Sequence, residues 1–142
     1  MIKKTDTRKP YINTMKEKIE TSNVPKAIGT YSQAIKSGNL IFLSGQIPLD
    51  PETMKLVEGD ENQIRQAFKN VIELCKASDA TSSEIVKVNI SLSDLSVFSK
   101  VNEIMKEFFD EPYPARAALQ VAKLPLDALI EIEAIIVKGN PD

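Results

Sequence analysis

Histidine is absent from this chain of 142 residues, and cysteine occurs once. The first absence removes Ser-His and Cys-His nucleophilic machinery, together with the commonest zinc ligand. Acid–base work must then fall to Glu, Asp, Lys, Tyr or an ordered water. With one cysteine and no histidine, a transition-metal site is not expected. The single Cys75 excludes an intramolecular disulfide and suits a reducing, cytoplasmic compartment. It lies on the apolar face of a predicted helix, the place of a buried structural thiol rather than a nucleophile. An excess of positive charge is missing too. Lys and Arg number 18 against 20 Asp and Glu, a net charge of −2, which offers no field to nucleic acid or to an anionic membrane. No apolar run approaches the roughly 18 residues of a membrane span. Neither GxGxxG nor GxxxxGK occurs, so no phosphate loop is expected.

What is present is ordinary for a globular chain: 42% apolar and 27% charged residues, at a length that fills one domain. The first stretch, MIKKTDTRKPYINT, is polar and basic, lacks the apolar centre of a secretory signal, and precedes a second methionine, Met15. Residues 1–14 are therefore expected to be a disordered extension, with residues 15–142 forming a single domain.

Periodicity divides that domain into eight elements. KIETS after Met15 reads as a short strand. A loop carrying Pro25 and Gly29 leads to a second strand near Tyr31–Lys36. Gly38-Asn39 then turns the chain into the β-rich LIFLSGQI, residues 40–47, which completes a hairpin. Asp60 with Gln63 three residues later resembles a capping box. Behind it Ile64, Ala67, Phe68, Val71, Ile72 and Cys75 recur at helical spacing over residues 60–77. IVKVNISL, residues 85–92, alternates as a strand. A second helix follows with Phe98, Val101, Ile104, Met105, Phe108 and Phe109 on one face, stopped by Pro112 and Pro114. Two strands finish the chain, 115–122 and 129–137.

The order β-β-β-α-β-α-β-β implies an α+β sandwich, one six-stranded sheet with two helices on one face. Two helices leave the other face bare. The last strand is apolar on both sides, so a homo-oligomer is expected to cover it.

Two charges stand out against this pattern. Arg116 opens an alternating strand of small and apolar residues. Such an arginine ordinarily pairs with a surface carboxylate, but Ala117 and Ala118 leave space around it and Pro112 and Pro114 stiffen its approach. A guanidinium so placed suits bidentate capture of a carboxylate. Glu131, in LIEIEAIIV, is either an exposed strand residue or, facing a pocket, an acid–base group with a raised pKa. Were the last two strands a hairpin turning at Pro125–Asp127, Glu131 would oppose about Val121. That lies roughly 16 Å along the strand from Arg116 and on the other face. Either these strands are not neighbours, or the site is completed between subunits. Tyr31 is a core ring or a pocket wall. The glycine of Ser44-Gly45-Gln46 marks a bulge or a close approach within a strand. Asn102 lies off the apolar stripe of its helix, ordinarily a solvated position.

Three stretches carry a likeness to a known family: AIGTYSQAIKSGNLIFLSGQIPLDPET, Val101-Asn102, and PARAALQVAKLPLDALIEIEAIIV. Together they resemble the YjgF/YER/UK (Rid) family, and within it the enamine/imine deaminases, over residues 19–138. The resemblance implies a chorismate-mutase-like sandwich assembled as a homotrimer with sites between subunits, using neither metal nor cofactor. It implies hydrolysis of 2-iminopropanoate and 2-iminobutanoate, intermediates that leak from pyridoxal-phosphate enzymes, to 2-oxo acids and ammonia. By its motifs Arg116 clamps the substrate carboxylate and Glu131 orients the attacking water. Tyr31, Ser44, Gly45 and Asn102 match substrate-binding positions, with backbone groups near Ala118 beside them. Many bacterial members carry cysteine where this chain has Ala118, which argues against an essential thiol. The linker between Phe108-Phe109 and Pro114 is shorter than in some relatives. Rival readings are a non-catalytic binder of small carboxylates, an endoribonuclease, which the net charge and lack of histidine disfavour, and a chorismate mutase, which would want more cations in the cleft.

Overall fold

The computed structural model describes residues 15–139; the expected extension at residues 1–14 lies outside the described residues. Among the described residues there are six strands, β1 (Glu17–Ile19), β2 (Ala34–Ser37), β3 (Leu40–Gln46), β4 (Ile85–Leu92), β5 (Ala115–Gln120) and β6 (Ile130–Val137). Two helices, α1 (Asp60–Ala77) and α2 (Phe98–Met105), lie between β3 and β4 and between β4 and β5. The α+β order read from periodicity is the one observed. Helix α1 and strand β4 keep their expected bounds because each is an unbroken pattern of one period. Helix α2 is shorter than its apolar spacing suggested, since after Met105 the chain continues in single turns closed by Phe108 N–H to the Met105 carbonyl at 3.0 Å.

The expected capping box at Asp60 and Gln63 does not form. Gly59, at φ 93°, caps α1 without a side chain, and the Gln63 Oε1 accepts from the Leu129 N–H instead, at 2.9 Å. The amide thus ties the start of α1 to the approach of β6. A capping box does form at Thr81 and Glu84, before β4.

The sheet runs β1-β2-β3-β6-β4-β5. All pairs are antiparallel except β4 with β5, which the α2 crossover makes parallel. Strand β6 therefore lies between β3 and β4, and β5 is an edge strand. The hairpin considered for the last two strands is not formed: they are separated by β4. The core sits between one face of the sheet and the helices. Ile64, Phe68, Val71 and Leu74 of α1 and Val101 and Ile104 of α2 pack on Ile41, Val88, Ile90, Ile130, Ile132 and Ile136. Phe68 stacks on Phe108 with centroids 5.5 Å apart. On the other face no helix lies among the described residues. Leu40 pairs with Val137 and Phe42 with Ile135 there, and Leu40 and Phe42 are exposed.

Candidate active site

Arg116 stands on β5 opposite Val88 of β4. Val88 is buried under the helices, so partners in register place Arg116 on the helix-bearing face. There α2 receives it. Phe98, Asn102 and Met105 are four and three residues apart and so share one side of that helix. Arg116 Nη1 donates to Asn102 Oδ1 at 2.6 Å and to Met105 Sδ at 3.6 Å. Its guanidinium lies 4.9 Å from the Phe98 ring centroid, in cation–π contact. Among the described residues it makes no ion pair. The carboxylate partner of an ordinary surface arginine is thus replaced by a neutral amide, a thioether and a ring. These hold the group still and leave its charge available. A cavity of about 460 Å³ opens here, lined by Asn102, Met105, Lys106, Tyr113, Pro114 and Arg116. Ala118 follows two residues on along the same face of β5, half-buried against the core.

Glu131 stands on β6 opposite Ser91 of β4. Its β6 neighbours Ile130 and Ile132 are buried under the helices, so Glu131 points to the bare face. There it leans over Gly45. A Cβ built on Gly45 would come within 2.8 Å of the Glu131 Cδ. The pairing of β3 with β6 also slips between Leu43 and Gln46. Both meanings of a strand glycine, the bulge and the close approach, are realised at this residue. Burial, and after it the nearby Glu133 charge, hold the Glu131 carboxyl above the usual carboxylate range.

A cleft of about 630 Å³ adjoins Glu131, and Tyr31, Ser44, Gly45, Ile28 and Leu126 also line it. Tyr31 is a wall residue here, exposed and outside the core. The loop that carries it is stapled by Gln33, a buried amide that sequence reading passed over. Gln33 Nε2 donates to the carbonyls of Thr21 and Pro25, both at 3.0 Å, and Gln33 Oε1 accepts from the Thr21 N–H at 2.8 Å. Ser44 Oγ donates to the Ser32 carbonyl at 2.6 Å, joining β3 to the same loop.

The expected site residues thus fall into two groups. Tyr31, Ser44, Gly45 and Glu131 share one cleft; Arg116 and Asn102 share another place, with Ala118 along the strand. Val88 and Ser91, the β4 partners of Arg116 and Glu131, are three residues apart. The two charges are therefore on opposite faces, offset by about 10 Å along the strands and by two strand spacings, about 10 Å, across them. One small molecule cannot touch both within a single chain. Phe98 and Met105 were readable from the sequence only as core residues of α2. Nothing in a helical period says that a cation from another element will lie on them.

A family model described as Endoribonuclease L-PSP matches residues 21–138. The chain belongs to this family, the YjgF/Rid family. Among its relatives, Reactive Intermediate Deaminase A, chloroplastic, of Arabidopsis thaliana is 53% identical over 84% of this chain and 65% of its own length. The human 2-iminobutanoate/2-iminopropanoate deaminase is 44% identical over 85% of this chain and 89% of its own. Among solved Rid structures, E. coli TdcF with bound serine superposes with a TM-score of 0.83 at 40% identity, covering 87% of this chain and 99% of that one. The α+β sandwich described above is the architecture of that family.

Proposed function

We propose that this protein is an enamine/imine deaminase that hydrolyses reactive 2-imino acids, such as 2-iminopropanoate and 2-iminobutanoate, to 2-oxo acids and ammonia. Its role is then to clear intermediates released by pyridoxal-phosphate enzymes. The observation that carries the reading is the division of the site: an unpaired, rigidly held guanidinium in one half and a carboxyl of raised pKa in the other. Relatives named as deaminases of these imines support it. So does a family structure with bound serine, a small α-amino acid of the right size for such a cleft.

The two halves are joined by assembly. In a homotrimer, Arg116 and Asn102 of one copy face Tyr31, Ser44, Gly45 and Glu131 of the next. Arg116 fixes the substrate carboxylate through charge-assisted hydrogen bonds. A water held near Glu131 adds to the imine carbon, forming a C–O bond while the C=N pair moves to nitrogen. Glu131 takes a proton from that water as the C–O bond forms and returns it to the nitrogen. The carbinolamine hydroxyl then passes its proton through Glu131 to the departing nitrogen, so that ammonia leaves and the 2-oxo acid forms. An imine is already electrophilic, so acid–base help of about 10²–10⁴-fold, added to positioning, suffices without a cofactor.

A phosphodiester chain would find little cationic surface at a net charge of −2, which favours imines over RNA as substrate. Buried Cys75, its thiol pushed up to about 11 by burial, suits a reducing cytoplasm and takes no part. A coupled assay tests the assignment. A serine or threonine dehydratase generates the imine, and semicarbazide traps what escapes hydrolysis. The protein should suppress trapping. Arg116→Ala should lose at least about 10²-fold, from charge-assisted bonds of roughly 1.5–3 kcal/mol each, with the oligomer intact by light scattering. Undiminished activity in that variant removes Arg116 from the mechanism.

A further inference from the structure

Backbone strain is unevenly distributed. Among the described residues, four non-glycine positions have positive φ: Met54, Asp79, Leu126 and Asp127. Two of them, Met54 and Leu126, line the cleft beside Glu131, and Asp127 follows Leu126 directly. A leucine is a poor occupant of the left-handed region, because its Cβ crowds the following carbonyl. Leu126 sits at φ 55° and ψ 23°, yet its side chain is not withdrawn into the core. It is 65% exposed.

The loop around it is pinned at both ends and bonded internally. Leu124 and Ala128 on either side are buried. The Asp127 N–H donates to the Leu124 carbonyl and the Ala128 N–H to the Pro125 carbonyl, both at 3.1 Å. Lys123 pairs with Asp127 at 3.2 Å. Strain that persists because its surroundings over-determine it, at a cleft bearing an acid–base group, is of the kind found at ligand clamps. Ile28, on the stapled loop, lines the same cleft and is 69% exposed. Two aliphatic side chains therefore stand uncovered at the cleft that holds Glu131, presented by hydrogen-bonded loops.

We infer that Leu126 is a specificity-determining residue of the deaminase site, with Ile28 as its partner wall. It is held outward to take the side chain of the imino acid while Glu131 addresses the imine carbon. The favoured substrates are then 2-imino acids with extended or branched aliphatic side chains, over the methyl-bearing 2-iminopropanoate. This inference rests on the proposed deaminase activity and goes beyond it in naming which substrates are preferred and by which residue.

The test compares imines formed in situ from leucine and from alanine by an amino-acid oxidase, with semicarbazide trapping, for wild type, Leu126→Ala and Leu126→Gly. Both variants should lower kcat/KM for the leucine-derived imine about tenfold, the scale of lost apolar contact in a pocket. The alanine-derived imine should change little, and the oligomeric mass should stay constant. Leu126→Gly should also raise the urea midpoint, because glycine adopts positive φ freely, whereas Leu126→Ala should not. Equal loss on both imines, or no change on either, overturns the role of Leu126 while leaving the deaminase reading in place. A fall in mass to the monomer overturns it as well, assigning Leu126 to a subunit contact. A wild-type protein that suppresses trapping of neither imine defeats the deaminase reading, and this inference with it.

Discussion

A carboxyl group whose burial favours its protonated form is a cost to a folded protein at neutral pH, and Glu131 is such a group. Because its native pKa is raised, the stability it contributes is complete below the unfolded-state value and is lost as pH rises through the native value. Glu131→Gln removes that dependence. Its urea midpoint should gain on that of the wild type between acid and neutral pH, measured by denaturation at several pH values. Imine hydrolysis should fall by about 10²–10⁴-fold in the same variant. Stability and activity then move in opposite directions, as expected of a residue placed for chemistry. Arg116 tells the same story with the other sign of charge. A strand-edge guanidinium ordinarily takes a carboxylate, and this one is positioned by Asn102, Met105 and Phe98 without being neutralised.

Strand β3 shows how an element aims a side chain on its neighbour. The slip in pairing after Leu43 and the missing Cβ at Gly45 make the recess into which Glu131 fits. Gly45→Ala would put a methyl group 2.8 Å from the Glu131 Cδ, closer than carbon atoms pack. The flexible carboxylate would swing aside, costing activity on the scale of about 10²-fold for a misplaced catalytic group, with little change in urea midpoint. A comparable fall in both would show that the glycine serves folding. At the far end of β6 the chain is latched to the start of β4. Glu84 Oε2 accepts from the Gly139 N–H at 2.7 Å and Oε1 from the Thr81 N–H at 3.0 Å. These bonds, with Lys138 nearby, hold its carboxyl below the usual range. The stability it contributes is present above the unfolded-state value and lost as pH falls through the native one. Glu84→Gln should lower the urea midpoint at neutral pH, and the deficit should vanish in acid. These elements also show what was readable beforehand. Helix α1 and strand β4 were legible because one period runs unbroken through each. The capping box at Asp60 was misread because the amide of Gln63 goes to Leu129, 66 residues away, a partner that no local pattern contains.

At the scale of the whole molecule, two half-sites on opposite faces ask for a second copy. The bare face carries exposed Leu40 and Phe42, beside Ile135 and Val137 in register, which is apolar surface suited to subunit contact. If sites form between copies, Arg116→Ala and Glu131→Gln chains can rescue each other. Mixing the two inactive proteins under subunit exchange should restore roughly a quarter of wild-type activity for randomly mixed trimers with closed symmetry. Here one intact pairing survives in each mixed ring. No recovery, with exchange verified by mass, would place both residues' work within single chains or outside the reaction.

The sequence by itself determined which residues are anomalous. A guanidinium and a carboxylate in apolar strands were visible there, whereas the parity that set them on opposite faces was argued from a hairpin that does not form. Tertiary structure decided who their neighbours are. Strand pairing is non-local: the period of a strand states which side of a sheet a residue faces and is silent about the adjacent strand. The insertion of β6 between β3 and β4 brought Glu131 onto Gly45, and the crossover through α2 brought Arg116 onto Phe98 and Asn102. Neither meeting is encoded in any window of sequence short enough to show a pattern.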